Sequence, residues 1–216
     1  MTKKLAVEAI GTFFLVFTIG QVVVDPGSSG LLGPLAIGTV LMAMVYAGGH
    51  VSGAHYNPAV TLAFFLRGKA TVHELLGYWV FQLVAGALAA TVVLWLKGGG
   101  PLTVPSIVVG KALAAEFIFT FALAFVVLNV ATVRSVEGNS YFGLAIGATV
   151  LAGAYAVGPV SGGVFNPAVT IGAVVLGTMD LANVWVYLVA QLLAGAAAAT
   201  AFNLLDLGTE KATTEA

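Results

Sequence analysis

The chain contains no cysteine. Disulfide staples, thiolate nucleophiles and cysteine-ligated metals are excluded with it. Charge is almost as scarce: 8% of residues are Asp, Glu, Lys or Arg, where a soluble domain carries roughly a quarter. So few charges cannot cover a surface that faces water, so most of the exterior must face acyl chains. A formal net charge of −1 leaves no electrostatic footprint for nucleic acid. No group of His, Asp and Glu has the spacing of a metal site or of a general acid–base pair, which argues against an enzyme. What remains is apolar. Hydrophobic residues make up 60% of the chain, and its mean hydropathy is +1.05.

The apolar residues gather in six runs: Leu5–Val24, Leu31–Ala47, Val72–Leu96, Val108–Val130, Phe142–Val157 and Leu181–Leu205. Each is near the ~20 residues that a helix needs to cross a bilayer core. The first follows Met1-Thr2-Lys3-Lys4 and resembles a secretory leader, but it is too long for the apolar core of one and is read as a span. Laying Leu35–Thr61 over Leu144–Thr170 matches about 16 of 27 positions at an offset of about 109. Tyr78-x-Val80-x-Gln82-Leu83 returns as Tyr187-x-Val189-x-Gln191-Leu192, and Glu8 returns as Glu116. The chain therefore reads as one membrane domain over 1–216, with halves at about 1–100 and 108–206 and a cytoplasmic tail at 207–216. Three crossings per half force the halves to insert in opposite directions. With both termini inside, Lys3, Lys4, Arg67, Lys69, Arg134 and Lys211 fall on the cytoplasmic side and only Lys97 and Lys111 outside, the bias of a multi-pass cell-membrane protein. The Gly/Ala stretches Ala85–Ala90 and Ala194–Ala199 mark close helix packing.

Between the second and third runs of each half lies a segment too short to cross. In the first half it is an irregular stretch from Gly48 to Tyr56, then Asn57-Pro58-Ala59 and an apolar tail to Leu66. About ten helical residues span ~15 Å, half of the hydrocarbon core. Irregular backbone at that depth survives only where it lines a wet cavity. Asparagine suits a helix cap and proline the first helical position, so Asn57 and Asn166 each start a half-helix whose positive dipole end points to the midplane. Their amides supply donors there, and the backbones of Gly53–Tyr56 and Gly162–Phe165 supply carbonyl acceptors. Such a track suits a neutral polar solute and repels a cation. The fold class is all-α membrane: six transmembrane helices plus two re-entrant half-helices in an inverted repeat.

The paired segments Ser52-Gly53-Ala54-His55-Tyr56-Asn57-Pro58-Ala59-Val60-Thr61 and Ser161-Gly162-Gly163-Val164-Phe165-Asn166-Pro167-Ala168 resemble the signature loops of aquaporins. The likeness extends over essentially the whole chain. It implies a passive channel, a homotetramer with one pore per subunit in a lipid bilayer, and no cofactor. It also implies pore-lining roles for His55, Gly53, Ala54, Gly162 and Val164. Glu8 and Glu116 would support the loops by accepting hydrogen bonds from their backbones. His50 reads as structural, and His73 and Glu74 as a solvated helix start.

One position departs from the family. Arginine usually follows the second Asn-Pro-Ala, and here that residue is Val169. The resemblance places the selectivity filter at Ile37, Ala154, Gly163 and Val169, none with a charged or donating side chain. Water-selective members typically put an aromatic and a histidine at the first two. Glycerol facilitators place Asp where this chain has Thr170. Some bacterial members with valine in the arginine position are associated with metalloid hydroxides such as arsenite. The chain is therefore read as an atypical bacterial-type member, passing water and small uncharged solutes such as glycerol, urea and arsenous acid. A water-selective aquaporin, an ion-conducting channel and a structural membrane protein are the alternatives.

Overall fold

Helix dominates because the runs are long, apolar and rich in Ala and Leu, and because lipid leaves backbone groups no partner but their own helix. The computed structural model describes residues 1–25, 27–99 and 104–207. Within them lie α1 (Thr2–Val23), α2 (Gly33–Ser52), α3 (Pro58–Leu66), α4 (Val72–Leu96), α5 (Val109–Thr132), α6 (Phe142–Ser161), α7 (Pro167–Leu176) and α8 (Val184–Leu204). Six of these, all but α3 and α7, are long and apolar enough to cross a membrane. The half-helices have 9 and 10 residues, roughly 14–15 Å at 1.5 Å per residue. Lys211 and residues 208–216 of the expected tail lie outside the described residues.

The second and fifth spans run further than the hydropathy pattern predicts. Val51 and Ser52 are helical together with the Gly48-Gly49-His50 stretch read as irregular, and α6 continues past Val157 to Ser161. The glycines are there for clearance. A Cβ on Gly48 would overlap the Tyr56 hydroxyl, and one on Gly11 would overlap the Tyr56 ring. Both helices stop where Gly53 and Gly162 adopt left-handed φ of 87° and 91°, the region that glycine enters without a Cβ penalty.

The halves interlock. Within each half α1 packs on α4 and α5 on α8, while α2 meets α6 across the centre. The half-helices cross over: α3 lies against α8 and α7 against α4. Glycine permits that crossing, since a Cβ on Gly86 would stand 2.6 Å from the Ala168 carbonyl oxygen, and one on Gly195 would press on the carbonyl of Ala59. The small-residue stretches read from the sequence supply these glycines. Large apolar side chains point outward, including Leu204 at 80% exposure and Trp95 at 78%, as lipid-facing side chains do.

Lys4 Nζ donates to Glu74 Oε1 at 2.6 Å. Glu74 also closes a capping box with Thr71 at the start of α4. Glu74 is thus more than a solvated helix start, whereas His50 is exposed.

Candidate pore

Each Asn-Pro pair builds its helix start as the side-chain chemistry dictates. Asn57 Oδ1 accepts from the Ala59 N–H at 2.9 Å, and Asn166 Oδ1 from the Ala168 N–H at 2.9 Å. Thr61 and Thr170 hydroxyls donate back to the carbonyls of Asn57 and Asn166. With the oxygen committed to the cap, the amide nitrogen turns away from the helix. Asn57 Nδ2 donates to the Phe165 carbonyl at 2.9 Å, and Asn166 Nδ2 donates to the Tyr56 carbonyl at 2.8 Å. The exchange is reciprocal and bridges the two loops. An amide nitrogen has two hydrogens, so each asparagine keeps a second donor.

Tyr56 and Phe165 stand at φ of 48° and 51°. Non-glycine residues in that region cost of order 1 kcal/mol each and persist only when their surroundings hold them. The surroundings do so through two buried carboxylates. Glu8 accepts from Ser52 Oγ (2.6 Å), His55 N (2.9 Å), Tyr56 N (2.7 Å) and Gln82 Nε2 (2.8 Å). Glu116 accepts from Ser161 Oγ (2.7 Å), Val164 N (3.0 Å), Phe165 N (2.7 Å) and Gln191 Nε2 (2.9 Å). Tyr78 and Tyr187 close each arrangement by donating to the Ser52 and Ser161 carbonyls. Sequence reading paired neither the glutamines nor the serines with the glutamates. Their recurrence at the repeat offset was the available signal.

A cavity of about 650 Å³ runs past both asparagines. Ile37, Ala154, Gly163 and Val169 all line it, as do His55, Ala54, Gly162 and Val164. Gly53, at the end of α2, is exposed and is not among these lining residues. Among the described residues that line it, His55 and Asp180 are the only ones outside the tyrosines that carry an acidic or basic group, and none is Lys or Arg. His55 Nδ1 meets Thr61 Oγ1 at 3.1 Å, and its ring lies tilted against that of Phe64, with centroids 4.1 Å apart. The cavity is therefore mostly apolar, and the two loops bring His55, Asn57 and Asn166 to its wall.

These loops and half-helices have counterparts in known proteins. A family model described as Major intrinsic protein matches residues 1–154 and again 137–215. Aquaporin NIP1-4 of Oryza sativa subsp. japonica is 40% identical over 214 residues, covering 95% of this chain and 77% of the rice protein. Aquaporin NIP1-1 of Zea mays is 38% identical over 213 residues, covering 94% and 74%. The X-ray structure of the aquaglyceroporin from Plasmodium falciparum matches with a TM-score of 0.80 at 22% identity, covering 95% of this chain and 99% of that one. The last likeness is one of fold. The chain belongs to the major intrinsic protein family: it is a multi-pass membrane channel of the aquaporin type for water and small solutes, not an enzyme.

Proposed function

We propose that this channel passes small uncharged solutes, among them glycerol, urea and metalloid hydroxides such as arsenous acid, in addition to water. One observation carries the reading: the four filter positions Ile37, Ala154, Gly163 and Val169 line the cavity, and none offers a charged or donating side chain. A ring without a fixed cation and without large polar groups is wider and less selective against solutes less polar than water. Exclusion of cations then falls to the positive ends of α3 and α7 at the two asparagines. Pore lining by His55, Ala54, Gly162 and Val164, and loop support by Glu8 and Glu116, belong to the same reading. So do a homotetramer and a cell-membrane orientation with both termini cytoplasmic.

Proteoliposome swelling tests the reading directly. Water flux together with uptake of glycerol, urea and arsenous acid, without ion current, is the expected result. Water flux with none of those solutes would instead mark a water-selective aquaporin. Val169→Arg supplies the internal control. It should depress glycerol uptake about tenfold while leaving water flux within about twofold, because a guanidinium both narrows and polarises the ring. Unchanged glycerol uptake in that variant would mean that the ring lies elsewhere.

A further inference from the structure

The repeat that relates the two halves maps the filter onto a second set of positions. At the offset of 109, Ile37 corresponds to Ile146, Ala154 to Val45, Gly163 to Ala54 and Val169 to Val60. Of the mapped set, Ala54, Val60 and Ile146 line the cavity on the side of the first loop, and Val45 does not. Isoleucine and valine recur in both sets, and Ala54 places a methyl group where Gly163 has none.

Burial separates the two sets. Ile146, Ala54 and Val60 are all 5% exposed or less. Ile37, Ala154 and Gly163 are only partly buried, and of the second-loop set Val169 alone is as low as 5%. Ala54, Val60 and Ile146 nonetheless line the same cavity as the filter, so their low exposure is that of a tight lumen wall. The chemistry differs in the same direction. His55 sits beside the first-loop ring where the repeat places Val164 beside the other. It is 6% exposed and lines the cavity. The tighter wall therefore also holds the hydrogen-bonding side chain.

We propose that solute size is read at the first-loop ring of Ala54, Val60 and Ile146 beside His55, and not at the ring of Ile37, Ala154, Gly163 and Val169. The loss of arginine has moved the limiting constriction from one loop to the other. This inference rests on the broad-pore reading and names the residues that set its upper limit.

Stopped-flow measurements on proteoliposomes, with glycerol and the longer polyol erythritol as probes, test it. Permeability is divided by water permeability, so that the fraction of active channel cancels. Val60→Ala and Ile146→Ala, on two different helices, should each raise the erythritol-to-water ratio by about tenfold, the discrimination that one or two methyl groups give in a confining apolar site. Ile37→Ala, which trims the other set by as much as Ile146→Ala trims the first, should leave the ratio within about twofold of wild type. A rise in the Ile37→Ala ratio equal to or above that of the first-loop variants overturns the proposal, whether or not those variants fold. So does an unchanged ratio in both Val60→Ala and Ile146→Ala with water flux intact. Exclusion of glycerol by the wild type would count against the broad-pore reading alone. The ring assignment would then stand if Val60→Ala admitted glycerol and Ile37→Ala did not, and would fall otherwise.

Discussion

Replacing Glu8 by glutamine should loosen the first loop by an amount that the hydrogen bonds allow to be worked out. Both carboxylate oxygens are used: Oε1 takes Ser52 and the His55 N–H, and Oε2 takes the Tyr56 N–H and Gln82. Glutamine keeps the shape but turns one oxygen into a donor. If the retained oxygen stays with Ser52 and His55, the new NH2 faces the Tyr56 N–H, a donor left without an acceptor, and Gln82, whose unpartnered Oε1 can turn to accept from it. A buried donor deprived of its partner costs about 1–3 kcal/mol. At roughly 2–4 °C per kcal/mol for a chain of this size, even the lower figure shifts the thermal midpoint by about 2 °C. Tyr56 would then lack the restraint that keeps it at φ 48°, and its carbonyl would drift from the Asn166 amide. Thermal unfolding in detergent, followed by tryptophan fluorescence, reads the first effect, and water flux per reconstituted channel reads the second. Glu116→Gln should behave alike, because its four partners are the repeat equivalents. A midpoint within 1 °C of wild type, with undiminished flux, would refute the assignment of these carboxylates as the restraint on the loops.

Two further outcomes follow from the packing. Gly86→Ala places a methyl group 2.6 Å from the Ala168 carbonyl oxygen. It should force α4 away from α7 at about 1–3 kcal/mol, seen as a lower thermal midpoint and reduced flux. Tyr56→Phe removes the hydroxyl that donates to the Met44 carbonyl at 3.0 Å and restores the residue type found at Phe165. It should cost only about 0.5–1.5 kcal/mol and leave water flux near wild type.

The six spans and two half-helices are legible because lipid imposes one period and one length on every crossing, and because asparagine followed by proline can start a helix but not continue one. The ends of α2 and α6 were harder. Gly48-Gly49 looks like a break when read for propensity alone, yet the helix persists because its neighbours supply packing and the glycines make room for Tyr56. Only the left-handed Gly53 ends it, and no local pattern separates that glycine from the two before it. The asparagines were visible as caps, but their amides reach across more than a hundred residues to carbonyls of the opposite loop. Such pairing is set by how the half-helices meet and leaves no mark in either segment. The partners of Glu8 and Glu116 lay between these cases. Ser52, Gln82, Ser161 and Gln191 recur at the repeat distance, but recurrence says that residues correspond, not that they touch.

The crossing of α3 onto α8 and of α7 onto α4 has a consequence for how the channel comes into being. Each half builds part of a wall whose remainder belongs to the other, and the Asn57 amide has no carbonyl to meet until Phe165 arrives. The first half, on leaving the ribosome, holds a seated glutamate but an unfinished lumen. Conduction is therefore a property that appears at once, when the last helix closes, and not by degrees. Two separately synthesised fragments, α1–α4 and α5–α8, would each be silent. Together they would complement one another, because each carries the half-helix that packs against the other's last span.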